Sequence, residues 1–338
     1  MARVLVTGGS GFIGTHLAEA LAARGDEVAC LVRRTSAVQR LQRLKVGLVY
    51  GDVTDPASLR EAVQGREVVY HLAGRLFSLR LGDFYKINQQ GVQNLLEACA
   101  AQTSPPVVVQ VSSLAAAGPA RDGRPRIESD APQPVSNYGR SKRAGEEVAQ
   151  RLAGQVPVTV VRPPIVFGGG DPASFDLFRG VARFATHLVP GLAPHYFSLL
   201  HVVDLVNCLI LAADRGKRLA PEGPDASGWQ GYYYAADDQQ PTYADLGRMI
   251  ATALGRRRVL CIPVASPVVW MVGAAAEGLG QLLRRPMTLN LDKVREATAG
   301  SWTCSSARAK SELGFAVGAP LADRLRQTAQ WYRDEGWL

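Results

Sequence analysis

Cysteine, histidine and methionine are all scarce in this chain. The five cysteines (30, 99, 208, 261, 304) stand apart, with no C-x-x-C and no Cys/His cluster. Neither a disulfide framework nor a structural metal is indicated, and no metal ligand is assigned. Most of these cysteines fall in apolar runs and read as core, which fits a reducing compartment. A signal-peptide pattern is also missing, so the expected location is the cytoplasm. The net charge of +8 is spread thinly. Its clusters, Arg33-Arg34, Arg256-Arg257-Arg258 and Arg284-Arg285, are not interleaved with aromatics, which argues against nucleic-acid binding. A basic surface suits an anionic cofactor or lipid headgroups better. No internal repeat or low-complexity segment appears. The apolar, uncharged stretch 259–276 is broken by Pro263 and Pro267 and followed by Glu277, which makes a spanning helix a poor reading.

What is present is regular. A β-branched run at 3–6 leads into Thr7-Gly8-Gly9-Ser10-Gly11-Phe12-Ile13-Gly14, where a helical pattern opens. Gly8 lets the chain turn off the strand, Gly11 lets backbone approach a pyrophosphate, and Gly14 lets helix lie close on sheet. The helix N-terminus then offers free N–H groups and a positive dipole end to the anion. Further strands are expected at 28–32, 46–50, 68–72, 107–113 and 156–161, alternating with helices at 14–24, 57–64, 83–101 and 137–152. Such alternation predicts an α/β fold: a Rossmann-type, doubly wound parallel sheet with a smaller, discontinuous C-terminal substrate lobe. Residues 1–166 are expected to form the dinucleotide-binding domain, with 196–224 returning to it. Residues 167–195 and 225–338 mainly form the substrate lobe. Stretches 199–214 and 305–337 read as helical.

Tyr138-Gly139-Arg140-Ser141-Lys142 places a tyrosine and a lysine one helical turn apart on one face. A phenol is a poor base at neutral pH, and a nearby ammonium corrects that. Tyr138 could then exchange a proton with a substrate hydroxyl, while Lys142 tunes it and holds the cofactor. Ser112-Ser113 lie at the C-terminal end of a strand, where this fold class places chemistry. A hydroxyl there can bond the reacting oxygen.

Taken together, residues 7–14, His71-Leu72-Ala73-Gly74, Asn88-x-x-Gly91, Ser112-Ser113, Tyr138-x-x-x-Lys142 and Arg162-Pro163 resemble the extended short-chain dehydrogenase/reductases, also called the epimerase/dehydratase superfamily. The resemblance implies that Ser113, Tyr138 and Lys142 are catalytic. It implies a dinucleotide site made by Gly8, Gly11, Phe12, Ile13, Gly14, Asp52, Val53, Leu72, Ala73, Gly74, Pro163 and Val166, with Tyr138 and Lys142. Asn88 would sit on the supporting helix, where a structural bond to backbone is an equal reading. A homodimer through the helices near 83–101 and 137–152 is implied as well.

The second strand ends Val32-Arg33-Arg34, with no carboxylate where NAD-preferring members bind the ribose 2′-hydroxyl. Arg33 and Arg34 suit a 2′-phosphate, so NADP(H) is expected, with NAD(H) as second choice. Leu114-Ala115 stands where dehydratases of this family carry an Asp-Glu pair. Phe197 stands where nucleotide-sugar epimerases carry an arginine. His201 reads as a helix N-terminal residue bonding backbone. With Phe77, Phe84, Tyr85 and Phe175 as further pocket candidates, the expected substrate is bulky and hydrophobic. Segment 112–119 and the C-terminal layout are similar to the 3β-hydroxysteroid dehydrogenase and sterol 4α-carboxylate 3-dehydrogenase branch, which implies a sterol-like secondary alcohol or ketone. Alternatives are a nucleotide-sugar epimerase or reductase, a dihydroflavonol-reductase-like enzyme, and a cofactor-binding scaffold without turnover. Ser266-Pro267 reads as the cap and first residue of a helix reaching about 283. Segment 266–285 either packs on the smaller lobe or contacts a membrane.

Overall fold

The computed structural model describes all residues, Met1–Leu338. Seven parallel strands form the central sheet in the order β10-β6-β5-β4-β1-β2-β3. They are β1 (Arg3–Thr7), β2 (Glu27–Val32), β3 (Gly47–Tyr50), β4 (Val68–His71), β5 (Val107–Val111), β6 (Val158–Arg162) and β10 (Tyr232–Tyr234). β1, β2, β4, β5 and β6 are buried on both faces and rich in β-branched residues, which makes them legible in the sequence. β10 comes from the stretch assigned mainly to the smaller lobe, and its three buried tyrosines pair with Val160–Arg162.

Helices cover both faces. Phe12–Ala23 and Val202–Arg215 pack on one side, in a core with Val4, Val6, Tyr70 and Val161. Pro56–Val63, Gly91–Ala100 and Asn137–Arg151 pack on the other, with Leu5, Val69 and Val108. Strand order reverses between β1 and β4, and the crevice at their C-terminal ends is where such sheets bind ligands.

The smaller lobe has its own core around Phe178, Val181, Leu246, Ile250, Leu325 and Tyr332. It carries the two-stranded parallel pair β8 (Thr186–Pro190) and β11 (Leu260–Val264). A second pair, β7 (Ile165–Phe167) and β9 (Leu199–His201), joins the lobes. Its remaining helices are Pro172–Phe184, Tyr243–Ala253, Ser266–Leu282, Leu291–Thr298 and Leu321–Asp334. None of the helices is long and apolar enough to cross a membrane.

Several local expectations need correction. The helix expected at 83–101 is split into Leu81–Tyr85, a π-helical turn Lys86–Gln90, and Gly91–Ala100. The wider turn accompanies a buried Asn88, and its carbonyl lies so close to Gly145 that a Cβ there would collide. Residues 199–201 are strand, not helix. The C-terminal stretch is a π turn Ala309–Leu313 followed by Leu321–Asp334. Ala265, extended after β11, is the cap of the helix starting at Ser266, so Ser266 is its first helical residue and no side-chain cap bond forms. His201 does cap its helix, accepting the Val203 N–H at 3.4 Å.

Candidate active site

The glycine turn closes the crevice with almost no spare room. Gly8 has φ +70°, and a Cβ there would lie 2.8 Å from the Ala73 nitrogen. At Gly14 a Cβ would collide with the Gly8 carbonyl. Thr7 Oγ1 accepts the Ala73 N–H at 3.2 Å and bonds His71 Nδ1 at 2.8 Å, tying β1 to the end of β4. Burial, with the Lys142 charge nearby, lowers the His71 pKa to about 3, so its ring stays neutral. Gly11 caps the helix Phe12–Ala23 without a side-chain bond, and the first turn holds no acidic residue. Its N–H groups are therefore left for an anion.

These features fit a nicotinamide dinucleotide. Gly8, Gly11, Phe12, Ile13 and Gly14 would face its pyrophosphate, with Leu72, Ala73 and Gly74 along the opposite wall. Asp52 and Val53 follow β3; Asp52 Oδ1 is engaged by Thr54, through its N–H and hydroxyl at 2.8 Å each. Arg33 and Arg34 are exposed at the end of β2, and the Arg34 guanidinium lies 5.7 Å from the Tyr50 ring centroid. The Pro163 carbonyl accepts the Leu114 N–H at 2.8 Å, and Val166 lies half-buried in β7.

The serine pair divides its work. Ser112 is buried, and its hydroxyl donates to Glu146 Oε1 at 2.6 Å. Glu146 is held by Arg162 through two bonds of 2.8 and 2.7 Å, with both side chains fully buried. Trp229, Tyr232 and Tyr234 surround that guanidinium at 5.2, 4.7 and 5.7 Å from their centroids. Ser113 instead caps the short helix Leu114–Ala117, accepting the Ala115 N–H at 3.1 Å. Its own O–H remains free to face Tyr138.

Tyr138 and Lys142 lie on the helix Asn137–Arg151. Lys142 Nζ donates to the Val111 carbonyl at 2.7 Å, and burial lowers its pKa to about 8. Burial raises the Tyr138 pKa to about 12, with a hydrogen bond to Ser113 acting downward and the Glu296 carboxylate acting upward. Asn88 ties the site together. Its Oδ1 accepts the Arg75 N–H at 2.8 Å, and its Nδ2 donates to the Arg75 carbonyl at 3.0 Å and Ser141 Oγ at 2.8 Å.

One part of the site was not read from the sequence at all. The helix Leu291–Thr298 docks on the first turn of the catalytic helix. Asp292 accepts the N–H groups of Asn137 and Tyr138 at 2.7 and 3.1 Å. Ser136 caps Gly139 at 2.9 Å and donates to Glu296 Oε1 at 2.5 Å. Lys293 bonds Glu296 at 2.7 Å and lies 5.0 Å from the Tyr138 ring centroid and 5.6 Å from that of Phe77. In sequence these charges look like any solvated helix face with i, i+3 pairs.

The pocket candidates separate. Phe197 and Tyr138 each border the apolar cluster that contains Leu114, Ala115 and Trp302, Phe197 also meeting the Tyr243 ring at 5.5 Å between centroids, and Phe77 shares Lys293 with Tyr138. Phe175 does not reach the site. It packs on Tyr332 and Trp337 in the smaller lobe, at 5.2 and 5.1 Å between ring centroids. Phe84 is buried in the short helix before the π turn, and Tyr85 beside it is half-buried.

The family described as NAD dependent epimerase/dehydratase matches residues 4–223. This chain belongs to that family. It is an NAD(P)-dependent oxidoreductase of the extended short-chain dehydrogenase/reductase type. A ceramide reductase from Caulobacter vibrioides is 31% identical over 337 residues, covering 99% of this chain and 96% of that one. Sterol demethylase protein B from Methylococcus capsulatus is 28% identical over 344 residues, covering 99% of both chains. Among solved structures, that of gox2253 superimposes with a TM-score of 0.77 at 25% identity, covering 99% of each chain.

Proposed function

We propose that this oxidoreductase interconverts a secondary alcohol and a ketone on a bulky, lipid-like substrate of sterol type, with NADP(H) preferred over NAD(H). The observation that carries the substrate class is the setting of Tyr138. Tyr138 and Phe197 both border the apolar cluster that contains Leu114, Ala115 and Trp302, and Phe77 shares the Lys293 ammonium with Tyr138. A hydrophobic ligand gains by displacing water from such walls, at about 25 cal/mol per Å² covered. Two relatives aligned along nearly their whole length, the ceramide reductase and the sterol demethylase protein, carry names of lipid chemistry and support the same reading. Arg33 and Arg34, exposed and free of ion pairs, support the 2′-phosphate preference.

The roles follow from position. The Tyr138 phenol, protonated across the physiological range in the free protein, donates its proton to a ketone oxygen as that oxygen gains charge. In the opposite direction it takes the proton of the substrate hydroxyl. Ser113 donates a hydrogen bond to the same oxygen and fixes its place. The Lys142 ammonium, anchored on the Val111 carbonyl, favours the phenolate and has donors left for the cofactor ribose. The bound dinucleotide supplies the hydride acceptor or donor. A homodimer and a cytoplasmic location belong to this proposal.

The test follows nicotinamide absorbance with purified protein, NADPH or NADP+, and a panel. It contains 3-keto and 3-hydroxy sterols, 4-carboxysterols, a long-chain keto amide and nucleotide sugars, with Tyr138→Phe as control. Turnover of a lipid ketone or alcohol, lost in the variant, is expected. Turnover of nucleotide sugars alone would overturn the hydrophobic-substrate reading and keep the catalytic residues.

A further inference from the structure

The smaller lobe turns an unusual amount of apolar surface outward. The helix Ser266–Leu282 buries only Gly273 and Gly280 along its length. Val268, Trp270, Met271, Val272, Leu279 and Leu282 are all exposed, Met271 at 65% and Leu282 at 79%. The preceding strand repeats the pattern. In the β8–β11 pair, His187 and Cys261 bond the carbonyls of Tyr243 and Ala244 and face the lobe. Leu188, Leu260 and Ile262 alternate with them and stay exposed. Only Ala265 separates β11 from the helix, so the two apolar faces are consecutive. Monomeric proteins rarely leave patches of this size without a use.

Charge says what covers it. Across residues 180–203 and 254–291 there are six arginines, at 183, 256, 257, 258, 284 and 285, and a single carboxylate, Glu277. Glu277 is turned inward, accepting the Leu291 N–H at 3.0 Å. The face therefore combines exposed aliphatic and aromatic side chains with arginines and shows no acid. A protein partner covering it would need to be both greasy and acidic. An anionic bilayer surface has that combination by nature. The helix is too short and too glycine-rich to cross, so its contact is in the plane of the interface.

We propose that this face, β11 with the helix Ser266–Leu282 and the arginines at 256–258 and 284–285, docks on an anionic lipid bilayer. The buried side of the same helix meets the segment that carries Phe77. Gly280 lies against Leu79 and Met287, on the segment that follows the Gly74 crevice wall and contains Phe77. A lipid-like substrate would pass from the bilayer to Tyr138 along that side. This route rests on the substrate reading above, whereas the docking itself does not.

Vesicle flotation tests docking without any turnover. The full chain is mixed with phosphatidylcholine vesicles or with vesicles containing about one-third phosphatidylglycerol, at low and high salt. Flotation with the anionic vesicles is expected, weakening at high salt, with a blue shift of tryptophan emission that Trp270→Phe removes. Arg284→Glu/Arg285→Glu should weaken binding about tenfold, and Met271→Glu/Leu282→Glu should abolish it while the circular dichroism spectrum is kept. Absence of flotation at low salt would overturn the proposal. So would self-association that Met271→Glu/Leu282→Glu disrupts without any vesicle binding, which would assign the face to a second copy of the chain. Docking without turnover of any lipid would leave the membrane contact standing and sink only the substrate reading.

Discussion

The nucleotide-binding half buries an ion pair beneath its serines, while the smaller lobe leaves apolar side chains in the open. Beneath Ser112, Arg162 and Glu146 are both fully buried, and each is satisfied by hydrogen bonds and ring faces. On the helix Ser266–Leu282 only two glycines are buried. The first arrangement is costly to assemble and costly to break, and it serves to hold one hydroxyl pair in place. The second weakens nothing inside the fold, because its apolar face is available for something else. Interlocking hydrogen bonds are placed where the reacting atoms must be fixed, and contact with the outside is left to a surface the core does not need.

Substitutions can break that contrast at graded cost. The largest effect belongs to Tyr138→Phe, expected to lower kcat/KM by about 10²–10⁴-fold while dinucleotide binding, read by fluorescence titration, is kept. Retention of more than a tenth of the activity would place the acid/base group elsewhere. Glu146→Gln leaves Arg162 buried without its counter-charge. A loss of about 3–5 kcal/mol is expected, seen as a melting temperature lower by about 4–7 °C.

Asp292→Ala removes the carboxylate that holds the first two amides of the catalytic helix. An approximately tenfold fall in kcat with cofactor affinity unchanged is expected, of the order of 1.4 kcal/mol, and Asp292→Asn should recover part of it. Faster hydrogen exchange over 136–142 in the alanine variant would show the loosened turn directly. A rise in KM alone would mark Asp292 as a substrate contact instead.

Lys142→Met should remove activity and yet raise the melting temperature. Burial holds the Lys142 pKa at about 8 in the folded chain, against 10.5 ordinarily. Between those values the unfolded chain binds more protons, so this residue's contribution to stability rises with pH. The advantage of methionine should be greatest below pH 8 and shrink as pH approaches 10.5. The smallest effect is on the outer helix. Gly278 has open space around a Cβ, so Gly278→Ala should stabilise by about 0.5–1 kcal/mol.

The two halves also differ in how far they could be read beforehand. The glycine turn, the Tyr138/Lys142 pair and the order of strands to β6 are local matters of dihedral angle, helical spacing and β-branched runs. The same is not true of Asp292, Lys293 and Glu296, whose role depends on which helix they meet, more than 150 residues away in the chain. Phe175 shows the converse failure: an aromatic residue near the expected pocket in sequence found Tyr332 and Trp337 instead. The π turn at Asn88 was hidden because its cause, the close approach of Gly145, lies on another helix.

Gly273 gives the helix Leu291–Thr298 a second meaning. A Cβ at Gly273 would collide with Val294, so the outer helix rests directly on the element whose Asp292 and Glu296 grip the catalytic turn. The short helix is thus a lever between the outer helix and the turn that carries Tyr138. By thermodynamic linkage, an occupant of the outer face that shifts this lever changes how tightly the turn is held, and a ligand that tightens the turn strengthens the grip on that occupant by the same factor.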